Sequence, residues 1–138
     1  MLAIFDISTG YRIVGIIHIL AVIVAFGPLF VYPSLQRAGA EATIAKLHLR
    51  LVLPALALAG VLGVALVEMS DDAWEFSQTW VVLALIGWVV LMLVSWFLIR
   101  PSLTDVSEQA RAKMASGIGV THLLLIVMLY LMVFKPGL

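Results

Sequence analysis

The sequence predicts an all-α fold, a four-transmembrane-helix antiparallel bundle, and three observations predict it. Of 138 residues, 64% are hydrophobic and 12% are charged, about half the charge that covers an average soluble domain. Four stretches run uncharged for the roughly 20 residues needed to cross a hydrocarbon core. The basic residues gather in two of the connections, as Arg37, Lys46 and Arg50 and as Arg100, Arg111 and Lys113. This composition excludes a soluble enzyme, a disulfide scaffold and a disordered linker. A formal net charge of zero gives no basic field for nucleic acid. The absence of cysteine removes thiolate metal sites and cysteine nucleophiles, and the sequence shows no other metal-ligand set.

A single integral membrane domain follows, with spans near 11–35, 49–69, 77–99 and 115–135. The first is uncharged between Arg12 and Arg37. It is too long, and too poor in small residues at a cleavage position, for a removable signal peptide. Within it Pro28 follows Gly27; proline removes a donor and crowds the carbonyl four residues back, which predicts a kink at Gly27-Pro28. The second is uncharged between Arg50 and Glu68, with Pro54 in its first turn and Ala55, Ala59 and Gly63 every four residues, Gly60 beside them. Small residues at that spacing let helices in lipid approach closely.

The third span lies between Glu75 and Arg100, with Trp74 and Trp80 at its entry and Trp96 near its exit. With Tyr11, Tyr130 and Phe134 these read as an interfacial belt. Trp88, at mid-span, is the aromatic placed to stack on a flat cofactor. The fourth span runs between Lys113 and Lys135. Asp105-x-x-Glu108 before it has capping-box spacing, so the helix should begin near Val106 and enter the membrane near Ser116. Ser116, Gly117 and Gly119 offer a second small-residue contact.

Six basic residues on one side against Arg12 and Lys135 on the other set the orientation. The connection between spans two and three carries only acids, Glu68, Asp71, Asp72 and Glu75. By the positive-inside rule both termini and this acidic connection face outward. Pro33-Ser34-Leu35 and Pro101-Ser102-Leu103 recur after the first and third spans, and each is followed by an acid, an alanine and an Ala-Lys pair. The echo raises the reading of the bundle as two repeated helical hairpins.

Ionisable groups inside spans default to functional hypotheses. His18 and His122 are candidate haem ligands, polar interhelical contacts or members of a proton relay. At 1.5 Å per residue His18 lies roughly 10 Å from the outward face and His122 about 20 Å from it, a mismatch that weakens a shared haem. His48, between Lys46 and Arg50, reads as a headgroup contact at a loop end. Ser95 and Thr121 read as bonded back to their own helices. No span contains Asp or Glu, and nothing has the arrangement of a catalytic triad.

Gly15-Ile16-Ile17-His18-Ile19-Leu20 and Phe26-Gly27-Pro28-Leu29-Phe30-Val31-Tyr32 resemble the opening of a group of bacterial four-helix membrane proteins. The group includes the HemJ-type protoporphyrinogen oxidase and CopD-like copper-resistance domains. Leu51-Val52-Leu53-Pro54-Ala55 and Val133-Phe134-Lys135-Pro136 resemble HemJ-type proteins as well. The resemblance implies a bacterial inner membrane, haem b held through His18 and, for the oxidase, oxidation of a porphyrinogen. The chain departs from the oxidase where an Asn-Glu-x-Pro stretch is expected, reading Ala115-Ser116-Gly117-Ile118-Gly119. The expectation is therefore a small accessory protein of the inner membrane, with haem b as candidate cofactor. Its partners are the lipid bilayer and a larger membrane complex or a second copy of itself. The oxidase is the alternative. A copper-handling permease domain is a poorer third, because Met92, Met128 and Met132 make no paired Met and His ligands.

Overall fold

The computed structural model describes residues 8–103, 105 and 107–137. Four long apolar helical spans, Thr9–Arg37, Glu41–Glu68, Thr79–Ser102 and Glu108–Phe134, form an antiparallel all-α bundle, and no strand occurs among the described residues. The first span packs along the second and the third along the fourth, while the second and third touch far less. The bundle is thus two sequential hairpins set side by side. The start of the first span, the end of the fourth and the 69–78 connection share one end, the upper end here. Trp74 Nε1 there donates to Tyr11 Oη at 3.3 Å. The connections after Arg37 and Ser102 share the lower end, where Arg111 pairs with Glu41 at 4.0 Å.

The exterior is apolar. Ile16, Ile19, Ile23, Val61, Ile86, Phe97, Leu123, Ile126 and Val133 are each more than half exposed, while His48, Ser95 and Thr121 are buried. Polar groups inside and isoleucine outside are the arrangement lipid favours, since hydrocarbon cannot hydrogen-bond them. The protein is a small multi-pass membrane protein.

The first and fourth spans start where a serine side chain meets their backbone donors. Ser8 caps the first, its Oγ accepting from Tyr11 N at 3.2 Å. Ser107 caps the fourth, accepting from Ala110 N at 3.1 Å. The capping box expected from Asp105 is therefore displaced. The helix begins at Glu108, and Asp105 Oδ1 instead accepts from Ser107 N at 2.9 Å. Val106 lies outside the described residues. The 69–78 connection turns on Asp71 and Asp72, both at positive φ (50° and 65°), a conformation aspartate tolerates better than most residues.

Three spans are locally irregular. At Gly27-Pro28 the α-ladder of the first gives way to a 3₁₀ turn, Pro28–Phe30, before Tyr32–Arg37 resumes as α-helix. The second span widens into a π turn at His48–Val52 and the third at Ser95–Ile99. Each π turn ends two residues before a proline, Pro54 and Pro101. A wide turn shifts the carbonyl that the proline ring would otherwise strike. Pro54 is therefore not in a first turn, since helix already runs from Glu41, and the π turn is how the helix interior carries it.

Candidate functional site

The irregular points converge. Tyr32, His48 and Ser95 are all buried, the first two completely. Ser95 O is a carbonyl and can only accept, so the Nε2–H of His48 donates to it at 3.2 Å. Nδ1 then carries the lone pair and accepts from Tyr32 Oη at 3.2 Å. Ser95 Oγ lies 3.2 Å from the same Nε2. His48 and Ser95 open the two π turns, and each turn closes on its opening carbonyl, through Leu53 N and Arg100 N. One imidazole thus joins the first, second and third spans at their lower ends. The headgroup contact expected for His48 is overturned. Ile44, His48 and Val52 lie four residues apart on one face, each within 1% of full burial, whereas Lys46 and Arg50 lie on the other. Ser95 likewise faces a neighbouring helix, unlike Thr121, whose Oγ1 donates to Gly117 O at 2.7 Å.

Above this knot the core is continuous through Phe26, Leu29, Leu56 and Leu91. Higher still the hairpins part around a cavity of about 300 Å³, at the small end of the range for ligand pockets. Its walls include Phe26, Leu56 and Leu91 at the floor, His18, Trp88 and Met128 higher up, and Tyr11, Trp74, Trp80 and Lys135 at the mouth.

Two wall residues use the same device on the second span. The His18 Nδ1–H donates to Ala59 O at 2.8 Å, and Trp88 Nε1 donates to Leu56 O at 2.8 Å. Each accepting carbonyl stands four residues, about one turn, below a glycine that clears the way. A Cβ built on Gly63 would come within 3.3 Å of His18 Cε1, and one on Gly60 would fall inside the Trp88 indole. Helices one and three thus reach the backbone of helix two from different spans, with Ala55 and Ala59 buried between neighbours. With Nδ1–H committed to a carbonyl, His18 is held as the tautomer whose Nε2 bears the lone pair, the arrangement of a histidine that ligates metal.

His122 is elsewhere. Its ring stacks on Phe30 with centroids 4.3 Å apart, and its buried Nε2 has no hydrogen-bond partner among the described residues. His18 meets the second span and His122 meets the lower part of the first, so the structure does not bring the two together. Gly117 packs on Ile99, where a Cβ would come within 2.7 Å of Cγ1, whereas Gly119 has nothing within 4 Å. No three of His, Asp and Glu among the described residues are grouped to hold a metal ion. Trp88 stands in the cavity wall rather than at the lipid face. The cavity, the carbonyl contacts of His18 and Trp88 and the His48 knot were not foreseen. The i to i+4 spacing of Ile44, His48 and Val52 was the available signal for the last. Comparison of the chain with protein-family models, with curated proteins and with solved structures gives no match.

Proposed function

We propose that the protein is a small accessory protein of a bacterial inner membrane that holds an apolar ligand between its hairpins, with haem b as the group His18 would ligate. The observation that carries this reading is the His18 ring itself. Its Nδ1–H is anchored on Ala59 O while the residue lines an apolar cavity, so the remaining nitrogen is free for a bond. A fixed neutral imidazole with one uncommitted nitrogen is a donor that would hold a haem, and Gly60 and Gly63 make the room in which the Trp88 and His18 rings sit against the second span. Haem b would supply electron-transfer or oxygen chemistry. What the chain supplies is a fixed imidazole, an apolar chamber and a closed lower end. The accessory role is exercised within a larger membrane complex or a homo-oligomer, and the two basic connections face the cytoplasm with both termini outward.

The test is an absorption spectrum of protein purified in mild detergent, with and without added haem b. The expected result is a Soret band in the wild type that is lost in His18→Ala and kept in His122→Ala. A colourless wild type that gives no shift with haem would overturn the haem reading. The accessory role predicts that a haem-loaded protein still fails to restore growth to a strain lacking porphyrinogen oxidase.

A further inference from the structure

We infer that the ligand of the upper cavity is an apolar molecule carrying an anionic group at one end, seated on the Lys135 ammonium at the mouth; this rests on the reading of the cavity as a ligand site. Among the described residues that line the cavity, Lys135 is the one formally charged residue and none is a carboxylate. A lysine at the end of a membrane helix ordinarily reaches outward to water. This one is folded back. Its backbone takes a left-handed φ of 44° that ends the fourth helix. The chain then turns through Gly137, at φ 92°, where a Cβ would stand 2.9 Å from Thr79 Oγ1. The turn brings Gly137 against the start of the third span.

The ammonium is held in place rather than neutralised. Nζ donates to Met132 O at 2.7 Å and lies 5.0 Å from the Trp74 ring centroid and 5.5 Å from that of Trp80. An ammonium has three donors, so the carbonyl leaves two. Among the described residues no carboxylate lies within 4.0 Å of it, the ion pair there being Arg111 with Glu41 at the opposite end. A full positive charge beside an apolar chamber interacts strongly with an anion, because the low dielectric that raises the cost of the unpaired charge also strengthens the pair. Below it Val22, Phe26, Leu56, Leu91 and Met128 offer only apolar contact. The chamber therefore selects for a hydrophobic body with a carboxylate at its upper end. A long-chain fatty acid and a carboxylated porphyrin share that chemistry.

The test titrates two matched pairs into the detergent-solubilised wild type and into Lys135→Gln. One pair is a pyrene-labelled fatty acid and its methyl ester, read by fluorescence. The other is haem b and its dimethyl ester, read by the Soret band. Circular dichroism and elution volume confirm that the variant keeps its helices. In the wild type at least one acid should bind about tenfold tighter than its ester, the worth of one charge-assisted contact. The preference should vanish in Lys135→Gln and return in Lys135→Arg, and the pair that shows it identifies the source of the carboxylate. Equal binding of acid and ester in both pairs, a preference that survives Lys135→Gln, or no binding of either acid would each overturn the inference. Haem and its dimethyl ester binding equally through His18 would remove the anion and leave the ligand site. A Lys135-dependent preference for the fatty acid without any haem shift would remove haem and leave the anion.

Discussion

Three histidines of the same type occupy three different chemical situations, and their variants should separate accordingly. His48 serves Tyr32 and Ser95 with both nitrogens. His48→Phe leaves the buried Tyr32 hydroxyl without its partner and Ser95 O with Arg100 N alone, and should cost about 1–3 kcal/mol in unfolding followed by circular dichroism in detergent. His122 has a buried nitrogen with no partner and a ring stacked on Phe30. His122→Phe keeps the stack and removes the orphan, so its stability should equal or exceed the wild type in the same assay. Neither outcome follows from hydropathy, which scores the three positions alike. The helical register did contain the answer for His48. Residues two apart project to nearly opposite sides of a helix, so the charges of Lys46 and Arg50 say little about the face that His48 occupies.

Glycines divide the same way. Gly60→Ala drives a methyl group into the Trp88 indole and should destabilise by about 1–3 kcal/mol, the usual range for overpacking. At Gly119, with open space around it, alanine should be neutral or stabilising through helix propensity alone. A midpoint shift of the same size at both positions would contradict this account of the second span. Small-residue spacing pointed to close approach on helix two. It could not say that the approaching groups are ring N–H donors, because a donor's partner on another span is a tertiary fact.

At the scale of elements, regular helix was legible and its irregularities only partly so. Proline marks a disturbance wherever it occurs, but the same residue type produces a 3₁₀ turn after Gly27 and π turns before Pro54 and Pro101. At the two π turns the opening residues meet across the helices, His48 donating to Ser95 O. The start of the fourth helix depends on local groups instead. The N–H of Ser107, and then its side chain, hold the exposed Asp105 carboxyl below its ordinary range. A carboxyl depressed in the folded state gives stability that is present above the ordinary carboxylate range and lost as pH falls through its folded value. Acidification should therefore loosen the turn at Ser107 before it affects the spans. Lower protection of the Ser107 and Ala110 amides relative to their intrinsic exchange, absent from Asp105→Asn, would show it; an even loss of protection along the helix would not fit.

For the whole molecule, hydropathy and charge placed four spans because lipid imposes both patterns strongly. The same patterns concealed the cavity. Valine, leucine and phenylalanine line it as they line the outer surface, and a sequence does not distinguish apolar residues facing lipid from apolar residues facing a chamber. The absence of native cysteine makes orientation directly measurable. A membrane-impermeant maleimide should label Asp72→Cys in intact cells and Gly39→Cys only after lysis; the reverse pattern would invert the molecule.

The knot at Tyr32, His48 and Ser95 lies at one extremity of the hairpins and the chamber's opening at the other. From Ser95 up to Thr79 the third helix measures about 24 Å. With so long an arm, swinging one hairpin by about 5° around that pivot would spread the opposite rim by about 2 Å, keeping each helix's own ladder and stretching the Trp88–Leu56 bond that crosses the seam. A guest bulkier than the resting volume would enter at the cost of that one contact, with the buried imidazole as the axle.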